Sequence, residues 1–179
     1  HDPEFMQTFR FMENYYKNNH NSYMNCYSYN NQNYSRSSLE KDSDENTRED
    51  YGAKPYVVDI EEATEENNTF RTALWTGEHL QVTLMSIPVG DSIGLEMHAD
   101  TDQFIRIEEG LGLVQMGEEE NNVTYQRRVG EDYAVLIPAG KWHNIVNIRN
   151  VPLKLYSIYA PPHHPYGTVQ NTKKDAMHE

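Results

Sequence analysis

The sequence predicts an all-β domain, a sandwich or barrel of short strands, behind an N-terminal segment of different composition. Three observations carry this. From Lys54 onward the chain breaks into short apolar or alternating runs separated by turn residues. Those runs recur at the spacing of all-β sandwiches and barrels. No strand–helix alternation and no phosphate-cradling glycine loop accompanies them, which argues against a nucleotide-binding fold.

Taken in order, residues 56–60 are apolar and β-branched and read as a first strand, and 71–75 as a second. In 79–87, Leu80, Val82 and Leu84 share one face and Gln81 and Thr83 the other. Pro88 to Asp91 is a turn. Further strands are expected at 93–98, 103–108, 111–116, 123–128, 134–137, 143–148 and 153–159. Turn signals lie at 109–110, 117–122, 130–132, 138–140 and 150–152. After Ala160, the run PPHHPYG is turn-like, and 168–179 reads as a closing arm or short helix.

The chain has 179 residues, enough for one ordinary domain and a tail. Its formal net charge of −13 argues against nucleic acid and acidic membrane surfaces as partners. A mean hydropathy of −0.85, with no long apolar run, gives no spanning helix. Residues 1–5, HDPEF, read as an expression-vector remnant, and the stretch after Met6 lacks the apolar core of a signal peptide. The single cysteine, Cys26, has no internal disulfide partner and fits a reducing cytoplasm.

Residues 6–50 form the N-terminal arm. They are rich in Tyr, Asn and Ser and end in a charged run, with Leu39 the only branched aliphatic. So little apolar area cannot offset the entropy of ordering, and the arm reads as disordered. Its composition also suits an interaction arm, prone to multivalent self-association and similar to segments of bacterial spore-coat proteins. His20 and Cys26 are too few to make a metal site there. The barrel is expected at 51–162 and a C-terminal arm at 163–179.

The chemistry concentrates in two segments, GLEMHADTDQFIRIEEG (94–110) and PAGKWHNIVN (138–147). On an extended strand Glu96 and His98 project together. Gln103 shares its face with Ile105 and Ile107, and His143 with Ile145 and Asn147. If these faces line one interior, a carboxylate, two imidazoles and a carboxamide converge in a dry cavity. Leaving them unpartnered would cost several kcal/mol, and a divalent cation removes that cost.

These segments resemble the two motifs of the cupin superfamily, over roughly 53–160. The first motif reads G-x5-H-x-H-x3,4-E-x6-G. Glu96 stands at its first histidine, His98 at its second and Gln103 at its glutamate, with Gly110 six residues on. The second, G-x5-P-x-G-x2-H-x3-N, is matched by Pro138, Gly140, His143 and Asn147, with Gly130 two residues further upstream than the motif's glycine. The resemblance implies a double-stranded β-helix, or jelly-roll barrel, and a metal bound by Glu96, His98, Gln103 and His143. The usual three histidines and glutamate are thus replaced by a set with one imidazole fewer. Zn, Fe, Mn and Ni are all compatible with it. The alternative is that the four side chains simply hydrogen-bond to one another. His79, Tyr159 and Arg71 are candidate substrate-pocket residues. His163 and His164 read as surface or packing residues.

Three functions follow as expectations. One is a metal-dependent isomerase of a small sugar or polyol, through similarity to the mannose-6-phosphate-isomerase-like group of single-domain bacterial cupins. Another is a non-haem Fe(II) dioxygenase, since two histidines and a carboxylate make a facial triad. The third is a non-catalytic cupin whose arm docks it into an assembly such as a spore coat. The expected partner is a small-molecule substrate, and unpaired sheet edges, like the cupin resemblance, suggest a homodimer.

Overall fold

The computed structural model describes residues 49–177. The vector-like leader, nearly all of the Tyr/Asn-rich arm, His20 and Cys26 lie outside them. Nine strands run through the described residues: β1 (Arg71–Thr76), β2 (Gln81–Ile87), β3 (Asp102–Glu109), β4 (Leu111–Gly117), β5 (Tyr125–Gly130), β6 (Ala134–Ile137), β7 (Trp142–Asn147), β8 (Leu153–Ala160) and β9 (Val169–Gln170). They form two antiparallel sheets, of order β6-β3-β8-β2-β1-β9 and β5-β4-β7. This is the jelly-roll sandwich expected for a double-stranded β-helix.

The core sits between the sheets. The large sheet contributes Ile87, Ile105, Ile107, Leu153 and Leu155, and the small one Val114, Val129 and Ile145. Each large aliphatic buried there contributes roughly 2 kcal/mol of transfer free energy. The chain passes from β3 to β4, and so from one sheet to the other, at Gly110. Its φ of +96° belongs to the left-handed region, and a Cβ there would meet the Pro152 carbonyl at 3.0 Å.

Several expectations need correction. Residues 56–60 are not a strand. Ile60 begins a helix, α1 (Ile60–Glu66), capped by Asp59, whose side chain accepts from the Glu62 amide at 3.1 Å. The Asp-x-x-Glu spacing at 59–62 was its sequence signal. Past its C-terminal end, Lys154 donates to the Asn67 carbonyl and, at 3.1 Å, to Asn68 Oδ1, tying the helix to β8.

The segment 93–98 is not a regular strand either. Ser92 bridges to Val146 and Glu96 to His143, so four steps along one chain oppose three along the other. Gly94, at φ +97°, accommodates the extra residue as a bulge.

The boundaries also shift. Asp50, placed in the solvated arm by its charged neighbours, is buried, and its carboxylate accepts from Gly52 N, Thr76 Oγ1 and Gly167 N. Beyond 162, β9 adds an edge strand to β1, and a short helix α2 (Lys173–Ala176) follows. The face of β2 turned inward is the polar one. Gln81 and Thr83 are fully buried there with Met85 and Ile87, while Leu80 is exposed on the other side. No helix among the described residues is long and apolar enough to cross a membrane.

Candidate metal centre

Glu96 and His143 lie opposite each other on a two-bond rung. Glu96 N donates to His143 O at 3.0 Å and His143 N to Glu96 O at 2.9 Å. Residues directly opposite on such a rung send their side chains to the same face. Two residues on, His98 returns to that face, and its carbonyl accepts from Gly140 N at 2.7 Å, fastening the first motif to the second.

The three side chains meet. Glu96 Oε1 stands 3.4 Å from His98 Nε2 and 3.4 Å from His143 Nε2. The candidate ligand atoms of all three lie within 4.8 Å of one another. Two donors each about 2.1 Å from one cation, at a tetrahedral angle, are separated by roughly 3.4 Å. The same separation is too long for a good hydrogen bond. Neither Nε2 has a hydrogen-bond partner, although both are buried. The three groups are spaced as ligands that could hold one metal ion.

The second contacts fix the chemistry. His143 Nδ1 lies 2.9 Å from the Lys141 carbonyl. A carbonyl only accepts, so Nδ1 carries a proton and Nε2 is the nitrogen turned toward Glu96. Burial alone would raise the Glu96 carboxyl. His143, then His98, and the charge of Arg71 outweigh it and hold the carboxyl well below the usual carboxylate range. The group is ionised, with its side chain 25% exposed toward a cleft.

Gln103 lies on the interior face, paired with Tyr159. Its Nε2 donates to Ser157 Oγ at 3.2 Å, and its buried Oε1 has no partner. The carboxamide thus belongs to the same interior with one acceptor unspent.

The cleft over Glu96 has a volume of about 850 Å³ and is bordered by Arg71, His163, His164 and Lys173 among others. Of the pocket candidates, Arg71 is buried at this wall, and Tyr159 is buried with its ring 5.6 Å from that of His98. His79 is a correction. Its side chain is 86% exposed on the surface beside Glu78, away from the cleft, because the turn before β2 ends only at Gln81.

His163 and His164 are surface and packing residues, as expected, and they also border the cleft. The His163 ring lies 3.9 Å from that of His98, and His164 Nε2 is 3.4 Å from the Tyr159 hydroxyl. Burial, helped by the charges of Arg71 and His163, pushes His164 down to about 3, while burial pushes Tyr159 up to about 12. At neutral pH the pair is a neutral imidazole beside a protonated phenol.

The loop carrying both histidines is held by Gln81. Its Oε1 accepts from His163 N at 3.3 Å and His164 N at 2.9 Å, and its Nε2 donates to the His164 carbonyl at 2.8 Å. A glutamine on the polar face of an alternating strand gave no sign of this in sequence. Two histidines between prolines, PPHHP, were a visible signal of a rigid, histidine-bearing loop.

Comparison with known proteins places these observations. A family model described as Cupin domain matches residues 83–159, which contain every one of Glu96, His98, Gln103 and His143. The Bacillus subtilis protein YrkC is 61% identical over 128 residues, covering 72% of this chain and 69% of its own. Protein L612 of Acanthamoeba polyphaga mimivirus is 40% identical over 115 residues, covering 64% of this chain and 70% of its own. The crystal structure of BH2720 from Bacillus halodurans is 63% identical, with a TM-score of 0.71, over 72% of this chain and 98% of that one.

Proposed function

The chain belongs to the cupin family, and on that premise we propose that it is a metal-dependent enzyme acting on a small molecule. The observation that carries this reading is the pair of buried, unpartnered imidazole nitrogens on either side of one ionised carboxylate. Glu96, His98 and His143 hold the ion, and Gln103 Oε1 is available beside them. A divalent cation there supplies a Lewis acid toward a carbonyl oxygen of the substrate.

Isomerisation of a sugar or polyol-derived hydroxycarbonyl is the reaction favoured. It requires a proton to move between neighbouring positions. His164 borders the cleft as a neutral imidazole, and the buried Tyr159 beside it keeps its hydroxyl proton. His163 packs on His98 and Gln81 fixes the loop, so both histidines are oriented before a substrate arrives.

Oxidative chemistry with Fe(II) and O2 is the second reading. It is favoured by the make-up of the cluster, two histidines and one carboxylate.

Elemental analysis of protein purified without chelator and without a nickel column tests the shared premise. About one ion per chain is expected, and protein that retains none after incubation with Zn(II), Mn(II) or Fe(II) overturns both readings. Solvent deuterium entering next to the carbonyl of an aldose or ketose, with Zn or Mn bound, supports the isomerase. Oxygen uptake confined to the Fe(II) form replaces it with the second reading.

A further inference from the structure

Arg71 is a buried charge without a counter-ion. It opens β1 and is 3% exposed. Its Nη1 donates to the neutral Gln170 Oε1 at 2.6 Å, and its Nε has no partner. Among the described residues no carboxylate stands within ion-pairing distance of it. Gln170, its partner across the β1–β9 pairing, leaves its own buried Nε2 without an acceptor. Two neighbouring side chains therefore present unspent donors, and one of them is a full positive charge.

Burial makes such a charge costly unless an anion accompanies it. Glu96 supplies some compensation, since Arg71 helps to lower its carboxyl. That compensation is spent once Glu96 neutralises part of a divalent ion. The ion and Glu96 together then carry one net positive charge, and Arg71 adds a second at the wall of the same cleft. Lys173, the other cation there, is already balanced by Asp91 at 2.7 Å. The excess charge belongs to Arg71.

We propose that Arg71 binds an oxyanion of the substrate, a carboxylate or a phosphate, at the wall of the Glu96 cleft. Gln170 Nε2 lies beside it as an auxiliary donor. The substrate class is a small acid or phosphate ester that bears a metal-binding oxygen as well as its anionic group. This rests on the metal reading above.

The test is a calorimetric titration of the full-length Mn(II)-loaded protein, and in parallel of the metal-free protein, with malonate and with inorganic phosphate. Gln170→Glu is the principal variant. It keeps the shape of the Arg71 partner but supplies the missing carboxylate, so it should weaken binding of the preferred anion by at least about tenfold with Mn(II) content unchanged. Arg71→Gln should do the same by removing the charge. Stronger binding of malonate assigns a carboxylate, and stronger binding of phosphate assigns a phosphate ester. If the wild type holds no Mn(II) yet its anion binding is still lost in Gln170→Glu, the metal reading fails and the Arg71 site stands. Equal anion affinity in wild type and Gln170→Glu with Mn(II) bound overturns the proposal. So does the absence of a response to either anion up to about 10 mM.

Discussion

Glu96 and His143 share one backbone rung, and their side chains place a carboxylate oxygen and an unpartnered imidazole nitrogen 3.4 Å apart. His98 Nε2 lies at the same distance from the same oxygen. Each imidazole is thus one of two nearly equivalent arms of the centre. His98→Ala and His143→Ala should each abolish stoichiometric metal while circular dichroism shows the sheet content unchanged. Full metal occupancy in both variants would refute the ligand assignment.

Gln103 should behave differently from the histidines. Its amide nitrogen is held by Ser157 and only its oxygen is unspent. Gln103→Leu should leave the metal stoichiometry intact and weaken affinity by about 10–100-fold, the range of a supporting contact. Gln103→Glu adds a second negative charge beside the ion and should tighten binding. Competition against a fluorescent chelator measures both. A loss in Gln103→Leu as large as that in His143→Ala would make the carboxamide a full ligand.

Acid should destabilise the metal-free protein in two stages. His164 titrates near 6.5 when unfolded and is pushed down to about 3 in the fold, chiefly by burial. Between those values the unfolded chain binds more protons, so this contribution is present above pH 6.5 and is lost as the pH falls toward 3. One proton gives a slope of at most about 1.4 kcal/mol per pH unit, reduced by screening because His164 is partly exposed. Glu96 acts in the same direction, starting only below its ordinary 4.5. Urea unfolding of chelator-treated protein should show stability falling from pH 6.5 to 5, and His164→Asn should flatten that interval while sparing the loss below 4.5. An unchanged slope in the variant would place the titrating group elsewhere.

The legible part of this protein was its periodic part. Alternation in β2, β3, β7 and β8 located strands to within a residue or two, and the fixed spacing of Pro138, Gly140, His143 and Asn147 located half of the centre. What escaped depended on pairing rather than period. Residues 93–98 alternate, but the Gly94 bulge breaks their pairing, and only the rung at Glu96 restores it. Asp50 sits in a run of charges and is buried because three distant donors converge on it. Arg71 and Gln170 lie 99 residues apart. Nothing local in either strand indicates that they face each other.

Gln81 offers the sharpest separation of loop from centre. Buried on the interior face of β2, it makes its hydrogen bonds to His163 N, His164 N, the His164 carbonyl and Thr76 Oγ1 rather than to any of the three ligands. Gln81→Leu preserves the side-chain volume but strands those backbone groups, at a cost of about 2–4 kcal/mol. The loop bearing His163 and His164 should then loosen, so that turnover falls while metal content stays near the wild-type value. Urea unfolding and elemental analysis of the same preparation measure the two effects. A stability loss below about 1 kcal/mol would show that Pro161, Pro162 and Pro165 hold the loop by themselves. Loss of the metal would instead show that the loop supports His98 through the contact of its ring with His163.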